Sequence, residues 1–222
     1  FWFGSGLGCG IHHGASIVCS APKDHASIMP RHRQHGNPLT LSGPLDPLVI
    51  ELVRNHREPL ALDVGFGKGM FALELARQHS EWLVIALEIR EFLVASLGER
   101  VRQAKLTNLL PVLANANLQL NELIPENRVA FVACNFPDPW FKRRHHKRRV
   151  VNQSWLQILE PKLLPGAQLH VMTDYQELAL AMQKTMATRA NFSYPVGQEG
   201  FARESAHGII SERELLHQKR GV

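Results

Sequence analysis

The sequence predicts an α/β fold in which a mostly parallel sheet carries helices on both faces. From residue 59 onward, short apolar runs with the length of buried strands alternate with segments whose apolar residues recur at helical spacing. The predicted strands occupy residues 59–65, 82–89, 108–115, 128–136 and 167–174. Strands that alternate with helices form parallel sheets, and right-handed crossovers between them favour a doubly wound arrangement.

Each predicted strand is followed by a segment with helical periodicity. These predicted helices cover residues 68–80, 90–106, 118–124, 148–163 and 175–190. In the first of them Phe71, Leu75 and Ala76 fall on one face, which suits packing against a sheet. The alternation contains no internal repeat, so we expect a single domain over residues 29–222.

The composition excludes several classes of protein. The 222 residues are 45% hydrophobic, which suits one compact domain, and no apolar run approaches the roughly 18 residues of a membrane span. Cys9, Cys19 and Cys134 are odd in number and form no C-x-x-C pair, so we expect neither a disulfide framework nor a zinc site. The histidines lack companions with metal-ligand spacing. We therefore predict a soluble, cytoplasmic protein without a metal.

The first 28 residues differ from the rest of the chain. They are rich in Gly, Ser and His without a clear period, and the character changes after Met29. We expect residues 1–28 to be a poorly structured tail or an artificially added segment, with the natural start near Met29. Arg31, Arg33 and His35 follow, and they are candidates for a second RNA contact or for a segment that orders over a cofactor.

Positive charge is concentrated in one short stretch. The formal net charge is +5, and residues 142–149 alone hold six Lys or Arg. A local patch of this density is typical of a surface that binds phosphates. The alternative is an ordinary solvated loop.

A glycine-rich loop joins the first predicted strand to the first predicted helix. Gly65 permits a tight turn there, and Gly67 and Gly69 allow the backbone to approach a ligand closely. Glu88 ends the second strand, where a carboxylate can accept hydrogen bonds from both hydroxyls of a ribose. The alternative is a glycine turn needed only for packing.

The residues around this loop favour S-adenosylmethionine over a dinucleotide. A dinucleotide fingerprint requires glycine at position 70, where this chain has Met70. Asp63 precedes the loop, and its carboxylate would repel a pyrophosphate but attract an ammonium group. After the third strand, Asn115 and, more weakly, Asn117 are candidates to read the adenine amine.

The stretch "FPDPW" follows the fourth predicted strand. In a doubly wound sheet this loop opens onto the ligand crevice. Pro137 and Pro139 restrict Asp138, which is a way to hold a carboxylate at a reacting centre. Trp140 can form a wall of the pocket or stack on a base. The alternative is a rigid surface turn with the tryptophan packed inward.

The chain resembles the tRNA (guanine-N7)-methyltransferase family of the bacterial single-subunit type. The motifs that carry the resemblance are, in order, "LDVGFGKG", "ALEI", "FPDPWFKRRHHKRR", "HVMTD" and "SERE". The resemblance covers about residues 31–220. It implies a seven-stranded, Rossmann-like fold that uses S-adenosylmethionine and methylates a guanosine of the tRNA variable loop, at position 46.

The resemblance also implies roles for individual residues. It assigns cofactor contacts to Asp63, Glu88, Asn115 and Asp138. It assigns substrate contacts to Lys142, Asp174 and the stretch Ser211, Glu212, Arg213 and Glu214. Asn115 stands where aspartate is common, Ser211 stands where threonine is usual, and the chain ends at Val222 where the family continues into a final strand.

The chemistry expected of such an enzyme needs little acid or base. The N7 lone pair of guanine attacks without deprotonation, so alignment matters most, and Asp138 is expected to stabilise the positive charge that develops on the base. Asp174 and Glu214 are expected to accept hydrogen bonds from guanine, although Asp174 also suits a helix N-cap.

The basic run, with Arg143 and Arg144, is expected to hold the phosphates of tRNA. His145 and His146 would add charge in mildly acidic solution, but the favoured interpretation of these two histidines is an ordinary solvated loop. Rival interpretations are a methyltransferase for another RNA, a protein or a small molecule, a noncatalytic RNA-binding module and, more distantly, an NAD-dependent oxidoreductase. The sequence leaves open whether the protein is a monomer or a homodimer.

Overall fold

A computed structural model describes residues 13–19, 38, 43–194, 201 and 206–219. The described strands are β1 (His13–Cys19), β2 (Leu60–Val64), β3 (Leu83–Glu88), β4 (Leu109–Leu113), β5 (Val129–Asn135), β6 (Leu163–Thr173) and β7 (Phe192–Ser193). The described α-helices are α1 (Pro47–Asn55), α2 (Met70–Gln78), α3 (Glu91–Gln103), α4 (Ala116–Leu123), α5 (Gln153–Leu159), α6 (Gln176–Met186) and α7 (Glu212–Lys219). Short 3₁₀ segments cover Arg143–Arg148, Glu160–Lys162 and Ala206–Gly208.

The strands form one seven-stranded sheet in the order β4-β3-β2-β5-β6-β1-β7. Every strand pairing among the described residues is parallel. The chain winds from β2 outward to β4 and then returns to place β5 on the other side of β2. The direction of winding therefore reverses between β2 and β5, and a ligand crevice is expected at the carboxyl ends of these two strands.

Helices cover both faces of the sheet. Alternate residues of β2 enter different cores, with Leu60 and Leu62 on one face and Ala61 on the other. Helices α1, α4, α5 and α6 contribute to the first core. Helices α2 and α3, together with Ile209, contribute to the second. Strands β2 and β3 are buried along their whole length, and β5 is buried along most of its length, which explains the continuous apolar character of these strands.

The predicted α/β class and the predicted mostly parallel, seven-stranded sheet are confirmed. All five predicted strands and all five predicted helices are present, and Phe71, Leu75 and Ala76 are buried on one face of α2. The fifth strand is longer than expected, because β6 already begins at Leu163. It includes Pro165-Gly166, and its register against β5 shifts there.

The expectation of a poorly structured segment over residues 1–28 is wrong for residues 13–19. These residues form β1, which pairs in parallel with β6 from Gly14 opposite Gln168 to Cys19 opposite Thr173. The physical reason is that the open edge of β6 offers unpaired backbone groups, which any extended segment can satisfy without a special side-chain pattern. Residues 1–12 and 20–37, including Met29, Arg31, Arg33 and His35, lie outside the described residues.

Helix α1 has no counterpart among the sequence predictions. Its start has a clear local cause, because Asp46 accepts a hydrogen bond from the backbone of Leu48 at 2.9 Å and Pro47 occupies the first helical position. Val53 is fully buried and anchors the helix to the first core.

Candidate active site

A cavity of about 460 Å³ opens at the carboxyl ends of β2, β3, β4 and β5, where the sheet order reverses. Its volume is in the range of small-molecule and cofactor sites. Of the residues predicted from sequence, those that line it are Asp63, Gly65, Gly67, Glu88, Asn115, Asn117, Asp138, Trp140, Ser211, Glu212 and Arg213. Gly69, Lys142, Arg143, Arg144, Asp174 and Glu214 do not belong to this lining.

The first two glycines of the loop after β2 have the predicted geometry. Gly65 and Gly67 have φ angles of 75° and 60°, a backbone conformation that residues other than glycine rarely adopt. A Cβ atom added at either position would meet nothing within 4 Å. The loop therefore presents bare backbone to the cavity.

Gly69 has a different environment and does not line the cavity. A Cβ atom at this position would lie 2.7 Å from Cδ1 of Leu97, whose side chain is fully buried in α3. Gly69 is also the N-cap of α2, with φ of 78°. The third glycine of the loop is therefore needed for the close packing of α2 against α3.

Asp63 is the next-to-last residue of β2 and is a buried carboxylate. Its Oδ2 atom has no hydrogen-bond partner among the described residues, although the side chain lines the cavity. Burial, reinforced by the charges of Glu88 and Glu212, raises the pKa of Asp63 to about 7. A buried acceptor without a donor is destabilising on its own, so this position suits a cationic ligand group.

Glu88 is held by a residue that the sequence analysis overlooked. Arg90 donates from Nε to Oε1 at 3.0 Å and from Nη2 to Oε2 at 2.8 Å. Hydrogen bonding to Glu88, and then the charges of Glu88 and Asp138, raise the pKa of Arg90. The two oxygens predicted to accept ribose hydroxyls are therefore paired with a guanidinium that lies at the same cavity.

Asn115 has a structural role in addition to lining the cavity. Its Oδ1 atom accepts from the backbone of Asn117 at 3.0 Å and caps α4, while its Nδ2 group donates to the carbonyl of Pro38. An amide oxygen carries two lone pairs, so one acceptor site remains for an adenine amine.

The loop that carries Asp138 is strained at both ends. Phe136 and Trp140 have φ angles of 50° and 46°, a left-handed conformation that is unfavourable for aromatic residues. Such strain persists only where surrounding contacts impose it, and it concentrates at functional sites. Arg149 supplies one such contact, donating from Nε to the carbonyl of Pro139 at 2.8 Å.

The basic run divides into two groups. Lys142, Arg143 and Arg144 are exposed, which suits their expected contact with phosphates. Arg149, in contrast, is buried against Pro139, and the guanidinium of Arg148 lies 5.0 Å from the centroid of the Trp140 ring. Part of the charge that sequence reasoning assigned to phosphates therefore supports the loop of Asp138.

Aromatic and histidine side chains accompany the exposed cations. Phe141 is 67% exposed and contacts Tyr175 edge to face, with the ring centroids 5.1 Å apart. Local desolvation, followed by the charges of Arg148 and other cations of the run, lowers the pKa of His145. This lowered pKa works against a gain of charge on His145 in mildly acidic solution.

Helix α7 is tied to two loops at the same edge of the sheet. Arg213 pairs with Asp174 after β6, with Nη2 at 2.5 Å and Nε at 2.7 Å from Oδ2. The guanidinium also lies 5.3 Å from the centroid of the Phe136 ring. Asp174 does not cap α6, whose N-cap is Tyr175, so the alternative N-cap role predicted for Asp174 is wrong.

Ser211 and Glu214 form a capping box at the start of α7. The Ser211 hydroxyl accepts from the backbone of Glu214 at 3.3 Å, and Glu214 Oε2 accepts from the backbone of Ser211 at 2.7 Å. Glu212, between them, lines the cavity, and burial is the main cause that raises its pKa. In the predicted substrate stretch, Ser211 and Glu214 thus build the helix start, while Ser211, Glu212 and Arg213 line the cavity.

Asn135, the last residue of β5, also lines the cavity and was missed. Both polar atoms of its side chain are buried and lack a hydrogen-bond partner among the described residues. The sequence does contain a signal for this residue, because Asn135 is a polar residue at the end of an apolar strand and directly precedes the loop of candidate catalytic residues.

Comparison with known proteins decides the family. A family model described as "Putative methyltransferase" matches residues 57–222. The chain is 38% identical over 196 residues to the tRNA (guanine-N(7)-)-methyltransferase of Synechococcus elongatus (strain ATCC 33912 / PCC 7942 / FACHB-805), covering 86% of this chain and 91% of that protein. The chain belongs to the tRNA (guanine-N7)-methyltransferase family.

Two further relatives with the same name support this family membership. The protein of Trichormus variabilis (strain ATCC 29413 / PCC 7937) is 36% identical over 197 residues, covering 86% of this chain and 91% of that protein. The protein of Prochlorococcus marinus (strain NATL1A) is 32% identical over 200 residues, covering 86% of this chain and 92% of that protein.

Membership in this methyltransferase family confirms the predicted cofactor, S-adenosylmethionine. The unpartnered Asp63 oxygen and the bare glycine loop fit a ligand that carries an ammonium group.

Two further observations concern the described part of the chain. None of its helices is both long and apolar enough to cross a membrane. Within the same residues, no group of three or more His, Cys, Asp and Glu side chains is arranged to hold a metal ion.

Proposed function

We propose that the protein transfers the methyl group of S-adenosylmethionine to N7 of a guanosine in tRNA, at position 46 of the variable loop. One observation carries the proposal: Asp138, held between two prolines and two strained aromatic residues, lines the same cavity as the glycine loop and Asp63. A cofactor subsite and a rigid carboxylate therefore share one crevice. The exposed cations that follow in sequence are suited to RNA.

The reaction needs alignment and charge stabilisation. When bound, S-adenosylmethionine supplies an electrophilic methyl group on a sulfonium. Guanine N7 offers a lone pair that carries no proton, so no residue has to act as a strong base. The purine becomes positively charged as the bond forms, and the Asp138 carboxylate is suited to stabilise that charge. Because the loop is rigid before binding, little entropy is lost in positioning it.

Three residues are proposed to hold the cofactor. Asp63 receives the ammonium group, Glu88 accepts the ribose hydroxyls, and Asn115 accepts from the adenine amine through its remaining lone pair. Arg90 has to leave Glu88, at least in part, for the ribose hydroxyls to replace it as donors. Its guanidinium then remains near Asp138, where it can meet an RNA phosphate.

The proposed RNA contacts lie beside the cavity. Lys142, Arg143 and Arg144 are proposed to contact phosphates, which position the RNA without reading its sequence. Phe141, exposed and supported by Tyr175, provides a surface on which an unpaired base can stack. Asp174, which follows β6 at the same edge of the sheet, is proposed to contribute to guanine recognition because a carboxylate accepts the hydrogen bonds that guanine donates.

The test is a methyl-transfer assay. The protein is incubated with labelled S-adenosylmethionine and an unmodified tRNA transcript, and 7-methylguanosine is mapped by mass spectrometry of nuclease fragments. A transcript with adenosine at position 46 serves as the matched control and is expected to accept no methyl group. The same proposal expects a cytoplasmic location, where tRNA is processed.

Each other outcome has a defined meaning. Methylation at a different guanosine would preserve the chemistry and overturn the position. Transfer to protein or to a small molecule would favour the rival methyltransferase interpretation. RNA binding without transfer to any acceptor would favour a noncatalytic RNA-binding module and overturn the proposal.

A further inference from the structure

The side chain of Asn135 is the starting point. Its Nδ2 and Oδ1 atoms are both buried, and neither has a hydrogen-bond partner among the described residues. Leaving a donor and an acceptor unsatisfied in the same buried side chain is unfavourable, and native proteins seldom tolerate it without a ligand or an ordered water molecule. Because Asn135 lines the cavity, a bound ligand can satisfy both atoms.

The sheet register relates Asn135 to Asp63. In the parallel pairing of β2 with β5, Asp63 lies opposite Ala133. Asn135 is two residues further along β5, so its side chain projects from the same face of the sheet, one pleat nearer the carboxyl edge. Asp63 Oδ2 is likewise a buried polar atom without a hydrogen-bond partner in the described part of the chain, and Asp63 lines the same cavity. The two side chains thus project toward one end of the cavity.

The chemistry of the pair is specific. A carboxylate offers only acceptors, whereas a primary amide offers a donor and an acceptor. An α-amino acid group presents an ammonium with three donors beside a carboxylate that accepts. Together, Asp63 Oδ2 and Asn135 Oδ1 match the ammonium, and Asn135 Nδ2 matches the carboxylate.

We propose that Asn135, together with Asp63, binds the α-amino-acid end of the cofactor, so that Asn135 is a cofactor-binding residue and does not read the target base. The inference rests on the proposed use of S-adenosylmethionine. The backbone favours the cofactor over the base, because Asn135 continues the side-chain alternation of β5 on the Asp63 face. The left-handed conformation of Phe136 then redirects the chain before Asp138.

The experiment compares two ligands that differ in this group alone. Binding of S-adenosylhomocysteine and of 5′-methylthioadenosine, which lacks the amino-acid end, is measured by calorimetry without RNA. For Asn135→Ala we expect the affinity for S-adenosylhomocysteine to fall by about tenfold or more and the affinity for methylthioadenosine to change by less than about twofold. Asn121→Ala, an exposed asparagine on α4, is the matched control and is expected to change neither affinity.

A second variant keeps the test decisive if Asn135→Ala does not fold. Asn135→Asp preserves the shape, removes the donor and adds repulsion toward the ligand carboxylate. We expect it to discriminate against S-adenosylhomocysteine in the same way. Equal losses for both ligands, or unchanged binding of both in a folded variant, would overturn the inference. So would an effect confined to the KM for tRNA.

Failure of the proposed function would look different. In that case the wild-type protein would transfer no methyl group to tRNA, whatever the two ligand affinities are. The ligand comparison uses no RNA, so its outcome is independent of the acceptor.

Discussion

Arg213 and Asp174 join helix α7 to the loop after β6 through two hydrogen bonds to one carboxylate oxygen, at 2.5 and 2.7 Å. Ser211 and Glu212 precede Arg213 and line the cavity. The wall that α7 contributes to the site therefore depends on an ion pair between two elements that are distant in sequence. Both side chains retain partial exposure, so each alone contributes modestly to stability.

A charge exchange tests this connection. Asp174→Arg and Arg213→Asp, made singly, are each expected to increase hydrogen exchange in α7 and to weaken cofactor binding. The double variant is expected to recover part of both losses, with a coupling of about 0.5–1 kcal/mol. The same exchange at Glu160 and Arg189, an ion pair remote from α7, is the control. Fully additive effects at Asp174 and Arg213 would argue against the connection.

Asp63→Asn is expected to stabilise the ligand-free protein and to impair cofactor binding. The pKa of Asp63 is raised from 3.8 to about 7, so between these values the folded state binds a proton that the unfolded state has lost. The free energy of unfolding therefore falls as pH rises from about 4 to about 7, and at pH 8 the penalty reaches up to about 4 kcal/mol. Thermal unfolding at pH 5 and pH 8 measures it, and the variant is expected to show a smaller difference between them.

The same carboxylate sets the pH dependence of cofactor affinity. A cationic ligand favours ionised Asp63, so the wild-type affinity is expected to rise between pH 6 and pH 8. Calorimetric titration at several pH values would show the rise. A wild-type affinity that is flat over this range would contradict the role of Asp63.

Asp138→Ala is expected to separate chemistry from RNA binding. If the carboxylate stabilises the charge that develops on guanine, kcat falls by about 10²–10³ or more. The affinity for tRNA, measured by filter binding, is expected to remain within about threefold of the wild type, because the exposed cations are unchanged. A large loss of RNA affinity with normal turnover of bound tRNA would reverse this assignment.

Neutralising Arg143 and Arg144 together is expected to weaken RNA binding and to reduce its salt dependence. Two lost phosphate contacts lower the slope of log K against log salt by about 1–2. Replacement of Arg57 and Lys184, which are exposed cations outside the basic run, is the control with equal charge. If the two double variants showed similar slopes of log K against log salt, the proposed phosphate contacts of Arg143 and Arg144 would be contradicted.

Gly69→Ala and Gly98→Ala are expected to have opposite effects on stability. At Gly69 the new Cβ atom meets the buried Leu97 side chain at 2.7 Å and the backbone has φ of 78°, so a loss of about 1–3 kcal/mol is expected. Gly98 lies within α3 with no atom within 4 Å of an added Cβ, so alanine is expected to gain about 0.5–1 kcal/mol. Chemical denaturation measures both differences.

The central part of the fold was predictable because its signals are local. A fully buried strand is a short apolar run, and a helix that packs on a sheet repeats its apolar residues, so β2 to β6 were recognisable from sequence. Strand β1 was not, because β6 holds it through backbone hydrogen bonds that require no side-chain pattern. Helix α1 begins with Asp46-Pro47, a local signal that the sequence analysis overlooked.

The sequence predicted where the residues of the candidate site lie in the fold better than it predicted their hydrogen-bond and ion-pair partners. The sequence places Asp63, Glu88 and Asp138 at or just beyond the carboxyl ends of strands that end at one edge, and this is sufficient to bring them together. It contains no information on which cation faces which acid. The pairing of Arg90 with Glu88 and of Arg149 with Pro139 depends on side-chain directions set by the folded backbone, so charge counts alone assigned Arg149 to phosphate.

The placement of β1 has a consequence for how the chain is made. Gly14 pairs with Gln168, 154 residues later, whereas β2, β3 and β4 are neighbours both in sequence and in the sheet. As the polypeptide leaves the ribosome, the half of the sheet that carries the glycine loop can assemble from nearby segments. The early residues must wait until β6 has been synthesised. During translation the side of the sheet that contains β6, β1 and β7 is therefore completed last.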